Sequence, residues 1–150
     1  MKDEASHQKG IRAAGAPAPV GAYPHARRSG NLLFLSGIGP RSADGSGVPG
    51  VTLDAQGKVV GYDMEAQCHA VFHNVAAILE SAGARLGDLL DVTVFLTDIG
   101  RDFEVFNRVY GEYVGKDGPC RTTVEVTRLP TPIAIELKCI AECGHESREQ

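Results

Sequence analysis

The stretch DMEAQCHAVFHNVAAILESAG, residues 63–83, decides how the rest of the chain is read. Met64, Cys68, Val71, Phe72, Val75, Ile78, Leu79 and Ala82 recur at three- and four-residue steps, which puts them on one stripe of an α-helix. Asp63 can cap the start, and Gly83 fits the left-handed position that closes a helix. A helix with one apolar stripe needs one partner surface to bury it.

Strands supply that surface. NLLFLSG (31–37) is a short apolar run ended by Ser-Gly, and LLDVTVFLTD (89–98) is β-branched. RDFEVFNRVYGEYVG (101–115) repeats the helical spacing through Phe103, Phe106, Tyr110 and Tyr113, with Asp102 as cap and Gly115 as stop. RTTVEV (121–126) and IAIELKCIAE (133–142) close the chain as strands around a proline-containing turn. The glycine-rich segment 40–58 carries Asp-Gly and Gln-Gly turn signals and reads as a long loop or a loose hairpin. The order β-(β)-α-β-α-β-β gives an α+β fold, a single sheet with two helices packed on one face.

Alternation assigns the strand faces. Ile133, Ile135, Leu137, Cys139 and Ala141 suit the helix-covered core, and Thr122, Val124 and Val126 oppose Arg121, Thr123 and Glu125. On this reading Arg121 and Glu136 both point away from the helices. The face they share also carries Ala134, Ile140 and Phe95, too apolar to be left wet. An oligomer covering it would set Arg121 and Glu136 in a semi-buried cleft between subunits.

Composition bounds the function. The chain has 150 residues, enough for one domain with a sizeable core. Residues 1–18 are rich in Ala, Gly, Pro and charge without periodicity and read as a mobile arm, 19–143 as the domain, and 144–150 as a tail. No apolar run reaches bilayer length, and the start, MKDEASHQKG, lacks the apolar stretch of a secretory signal, so a cytoplasmic protein is expected. A formal charge of −4 without a basic tract argues against nucleic acid as a partner. Four cysteines include no CxxC pair, and His69 and His73, four apart, have no HExxH carboxylate between them. Neither a metal nor a cofactor is expected.

PVGAYPHARRSGNLLFLSG, VTVFLTD, FNRVYGEYV, GPCRTTVEVTRLP and AIELKCIAE, in this order, resemble the Rid family of reactive-intermediate deaminases (the RidA/YjgF group) from about Pro19 to Glu142. The resemblance implies a homotrimer of chorismate-mutase-like subunits. Clefts between them would hydrolyse enamines and imines of 2-amino acids to 2-keto acids and ammonia. It implies that Arg121 binds the substrate carboxylate and that Glu136 positions or protonates the hydrolytic water, with Tyr23, Ser36, Gly37 and Asn107 lining the cleft. Thr123 stands where many members have cysteine, and Ile38 replaces a polar residue.

A longer 40–60 loop, YPHARR and GPCRTTVEV are similar to the branch that converts 2-aminomuconate to 4-oxalocrotonate in aromatic-compound catabolism. A dicarboxylate needs a second cationic or donor group, for which His25 and Arg41 are the nearest by sequence. The alternatives are a broad-specificity 2-aminoacrylate deaminase and a non-catalytic trimer that binds small carboxylates. The chemistry fits these residue types: an enamine needs a proton at carbon and the resulting imine needs water, neither of which demands a covalent nucleophile. Arginine supplies the planar two-point donor that a carboxylate accepts.

Overall fold

The computed structural model describes residues 9–143. Four strands open the chain, β1 (Ala26–Ser29), β2 (Leu32–Leu35), β3 (Val51–Leu53) and β4 (Val59–Tyr62). Helix α1 (Met64–Ser81), strand β5 (Leu89–Leu96), helix α2 (Ile99–Val114), strand β6 (Cys120–Glu125) and strand β7 (Ile135–Glu142) follow. Five strands form one mixed sheet in the order β1-β2-β7-β5-β6, and β3 pairs with β4 in a separate hairpin. Only β5 and β6 run parallel, because α2 carries the chain back across between them.

Helix α1 forms where its stripe predicts. Asp63 accepts from the Ala66 amide at 3.2 Å, and Gly83 takes a φ of 78°, the left-handed conformation glycine adopts freely. Phe72, Val75, Ile78 and Leu79 are fully buried against Leu33, Leu35, Leu137 and Cys139 on one sheet face. Each such side chain contributes about 1.5–3 kcal/mol by leaving water. Both helices therefore lie on one face of a mixed sheet, as expected.

Helix α2 starts a turn earlier than expected. Asp98, not Asp102, caps it by accepting from the Arg101 amide at 3.0 Å, and the Glu125 carboxylate accepts from the Ile99 amide at 3.0 Å. Asp102 is instead buried in the first turn, where the Tyr62 hydroxyl donates to it. Arg101 lies 4.1 Å over the Tyr62 ring and donates to the Tyr62 carbonyl at 3.0 Å. The 40–58 segment is thus a hairpin whose end is pinned to α2. Burial, then the Asp102 hydrogen bond, push the Tyr62 hydroxyl up to about 12.

Part of the expected arm is packed. Ile11 pairs with Ala26, its amide donating to the Ala26 carbonyl at 2.8 Å, while Ala13 and Ala16 join the core. An aperiodic Ala/Gly segment lacks a helical or strand pattern, yet its small side chains fit close against the folded body. Residues 1–8, and the tail expected over 144–150, lie outside the described residues. No helix is long and apolar enough to cross a membrane, among the described residues.

Candidate active site

The parallel register fixes the phase of β6. Val92 stands opposite Arg121, Val94 opposite Thr123 and Leu96 opposite Glu125. Val92, Val94 and Leu96 have zero exposure beneath the helices, so Arg121, Thr123 and Glu125 share the helix-covered side. Glu136 stands opposite Phe95 and takes the other face. The expectation that Arg121 and Glu136 point the same way is therefore corrected: they lie on opposite faces of one sheet. The cause is that β6 is an edge strand. Its apolar side, with Val124 at 38% exposure, belongs to the open face, while the rim of α2 takes the polar side.

Arg121 is braced there by rings. Its guanidinium carbon lies 4.7 Å from the Tyr110 ring centre, 5.1 Å from Phe106 and 5.9 Å from Phe103. Cation–π contact of this kind is worth about 0.5–2 kcal/mol according to desolvation. It holds a long side chain in one orientation at the sheet edge. Thr123 Oγ1 and Tyr110 Oη are buried with no hydrogen-bond partner among the described residues. Burial raises the Tyr110 hydroxyl pKa, and Arg121 opposes that rise. Asn107 is exposed on α2, next to Phe106. Sequence reading missed the ring cradle because Phe103, Phe106 and Tyr110 fall on a helical stripe that looks like ordinary core.

The second group gathers across the sheet around β2 and β7. Gly37 follows Ser36 at the end of β2, and a Cβ built on Gly37 would stand 2.8 Å from Glu136 Oε2 and 3.0 Å from its carboxyl carbon. The missing side chain is what lets the carboxylate lie against the backbone. Burial alone pushes the Glu136 carboxyl above the usual range. Ser36 Oγ donates to the Pro24 carbonyl at 2.7 Å, which ties the Tyr23-bearing loop to the end of β2.

Tyr23, His25, Gly37 and Arg41 line one small cavity of about 20 Å³. Arg41 donates to the Ala18 carbonyl at 2.8 Å from a single terminal nitrogen. His25 is buried and both of its ring nitrogens are engaged. Nδ1 accepts from the Ala13 amide at 2.9 Å, so Nε2 carries the proton and donates to the Pro17 carbonyl at 2.8 Å. No ring nitrogen is left for a second substrate carboxylate. What sequence reading took for a ligand-facing histidine anchors the segment before β1.

The same open face carries Phe34 and Val124, each 38% exposed, beside Phe95 and Ile140, and Lys138 reaches across to donate to the Leu35 carbonyl. One chain thus holds a braced cation at one sheet edge and a desolvated carboxyl on the opposite face. The cysteines are free; burial lifts the thiols of Cys68 and Cys139 to about 12, which keeps them protonated and unreactive at neutral pH.

Sheet order, parallel crossover and helix placement together define the class, an α+β fold with two helices on a mixed sheet that solved structures share. RidA from the Antarctic bacterium Psychrobacter sp. superposes with a TM-score of 0.77 at 31% identity, over 90% of this chain and 99% of that one. Escherichia coli TdcF with bound serine superposes with a TM-score of 0.78 at 30% identity, over 91% and 100%. The chain belongs to the Rid family, whose profile carries the description Endoribonuclease L-PSP and matches residues 13–143. A RutC family protein of Pyrococcus horikoshii is 40% identical over 129 residues, 84% of this chain and 90% of its own length. The 2-iminobutanoate/2-iminopropanoate deaminase of Escherichia coli is 34% identical over 136 residues, 89% and 96% respectively.

Proposed function

We propose that this chain hydrolyses the enamine and imine forms of small 2-amino acids to 2-keto acids and ammonia. The observation that carries the reading is Glu136, a carboxyl desolvated on the sheet face that also carries Phe34 and Phe95 and seated against the bare backbone of Gly37. A carboxyl that burial holds above the usual carboxylate range can give a proton to the enamine carbon and, once ionised, take one from the water that adds to the imine carbon. The carbinolamine then collapses, the C–N bond breaks, and ammonia leaves as the carbonyl forms. Arg121 binds the substrate carboxylate through its two-point fork, oriented by the rings beneath it. Thr123, Ser36, Tyr23 and Asn107 complete the wall.

The placement of Arg121 and Glu136 on opposite faces favours a site built from two chains, with the braced cation of one meeting the carboxyl of the next. A cyclic homotrimer supplies such a heterologous interface three times, and the apolar face around Phe34, Phe95 and Val124 is the surface it would cover. The name of the 2-iminobutanoate/2-iminopropanoate deaminase relative supports the reaction class. The net charge of −4 weighs against ribonuclease chemistry.

The finer reading is 2-aminomuconate as substrate, with Arg41 taking the second carboxylate. It is supported by Arg41 lining the same cavity as Tyr23 and Gly37 while using one guanidinium nitrogen on Ala18. The test follows ammonia and keto acid released from freshly generated 2-aminoacrylate and from 2-aminomuconate. No release from either above the spontaneous rate refutes the deaminase. Release without preference for 2-aminomuconate refutes only the dicarboxylate.

A further inference from the structure

Residues 12–24 form a loop closed at its neck by backbone pairing. The Ile11 carbonyl accepts from the His25 amide at 3.0 Å and from the Ala26 amide at 3.3 Å, and the Ile11 amide donates to the Ala26 carbonyl. The loop carries Tyr23 and buries Ala13 and Ala16 against the folded body. Three side chains hold its backbone down. Ser36 ties Pro24, Arg41 ties Ala18, and His25 ties both Ala13 and Pro17.

His25 differs from the other two ties because its bonds depend on its proton count. An amide only donates, so Nδ1 must offer Ala13 a lone pair; a carbonyl only accepts, so Nε2 must carry hydrogen toward Pro17. Only the neutral ring meets both demands. A second proton would sit on Nδ1, facing the Ala13 N–H, and at 5% exposure the ring has little water to replace the lost bond. The cavity that the ring lines offers no counter-charge: none of its lining residues is acidic among the described residues. The segment after β2 presents Gly37, Ile38 and Arg41 there, the last with the same charge as an imidazolium. The loop presents Tyr23, and α1 presents Ile78. The carboxyl that reaches this wall, Glu136 of β7, lies against Gly37 and is itself desolvated.

We infer that His25 is a proton-operated latch: acid protonates the ring and shifts the 12–24 loop, with Tyr23, toward release. An imidazole in water takes its proton at about pH 6.5, so at about pH 5 the released loop gains a factor of about 30 over the closed one. Above that value the neutral ring leaves the closed form undisturbed. The latch is a property of the fold, and only the consequence of moving Tyr23 for turnover rests on the deaminase reading.

The test is hydrogen exchange of the isotopically labelled full chain, read by NMR at about pH 7.5 and about pH 5, with each amide expressed as protection relative to a free amide at the same pH. Expected is a fall of about 30-fold in the protection of the Ala13 amide at the lower pH. The Ile38 amide, which donates to the Leu137 carbonyl at 2.8 Å, should keep its protection. His25→Gln offers an acceptor and a donor that do not titrate, so its Ala13 protection should be the same at both pH values. The inference is overturned if Ala13 in wild type is as protected at the lower pH as at the higher. It is equally overturned if Ile38 loses as much protection as Ala13, since acid would then open the whole fold, or if His25→Gln shows the same fall as wild type. Ammonia release takes no part in the measurement, so failure of the deaminase reading and failure of the latch are separate results.

Discussion

Glu136 lies so close to Gly37 that a Cβ there would stand 2.8 Å from its Oε2. The nearest atoms are the far end of a flexible side chain, so the fold can absorb a methyl by moving the carboxylate. The chemistry cannot, because a displaced acid no longer meets the reacting atoms. Gly37→Ala should therefore leave the melting temperature nearly unchanged and lower kcat/KM at least about tenfold, or about 1.4 kcal/mol. Steady-state kinetics beside a thermal melt checks both; full activity would show that the position of Glu136 is immaterial.

The raised Glu136 carboxyl also sets a pH dependence. Burial disfavours the ionised form, so folding binds a proton more tightly than the unfolded chain does. Stability is fully present below the ordinary carboxyl value of 4.5 and is lost as pH rises through the higher folded value. Glu136→Gln should remove that loss. With an imine substrate, which skips the carbon protonation, the ionised form takes the proton from water, so kcat/KM should fall as pH drops through a value above the ordinary one. That limb should be absent from any residual activity of Glu136→Gln. A wild-type acid limb at the ordinary carboxyl value contradicts the assignment.

The period of the 63–83 stretch made α1 legible because a buried stripe must repeat every three to four residues. The phase of β6 was not legible. Thr122 and Val124 are the more apolar side of that strand, but an edge strand can turn its apolar side to an open face and its polar side to a helix rim. Only the pairing of Val92 with Arg121 settles which is which. His25 was opaque for another reason: its partners are the backbone of Ala13 and Pro17, in a segment without periodicity. The family motifs, in contrast, named Gly37 and Glu136 together, and the structure places them in contact.

Tyr62 and Asp102 pin the β3–β4 hairpin to α2. Tyr62→Phe removes the hydroxyl and leaves a carboxyl that is only 2% exposed with the Arg101 guanidinium, 3.6 Å away, as its remaining partner. The expected loss is about 1–3 kcal/mol of stability by urea unfolding. Neither residue belongs to the proposed machinery, so kcat/KM at low temperature should stay within twofold or so of wild type. Stability equal to wild type would mean that the hydrogen bond contributes nothing net.

Arg121 rests on the Tyr110 ring at the sheet edge, and its fork makes no hydrogen bond among the described residues. If it clamps the substrate carboxylate, Arg121→Ala should cost about 2–5 kcal/mol in transition-state binding, and Arg121→Lys should recover only part, since an ammonium lacks the planar fork. Tyr110→Phe keeps the ring and should keep most of the activity, whereas Tyr110→Leu should raise KM by freeing the guanidinium. Unchanged kinetics in Arg121→Ala would remove the clamp.

The placement of Arg121 and Glu136 on opposite faces leads to a complementation test. Arg121→Ala and Glu136→Gln should each be inactive as pure proteins. In a ring of heterologous interfaces, every site takes its arginine from one chain and its carboxyl from the neighbour. Unfolding an equal mixture and refolding it places an intact Arg121 against an intact Glu136 at about one quarter of the interfaces, so about a quarter of wild-type activity should return. A site contained within one chain would regain none, because every chain in the mixture lacks one of the two groups. Mixing without refolding should restore activity only as fast as subunits exchange, which separates assembly from any effect of one variant on the other in solution.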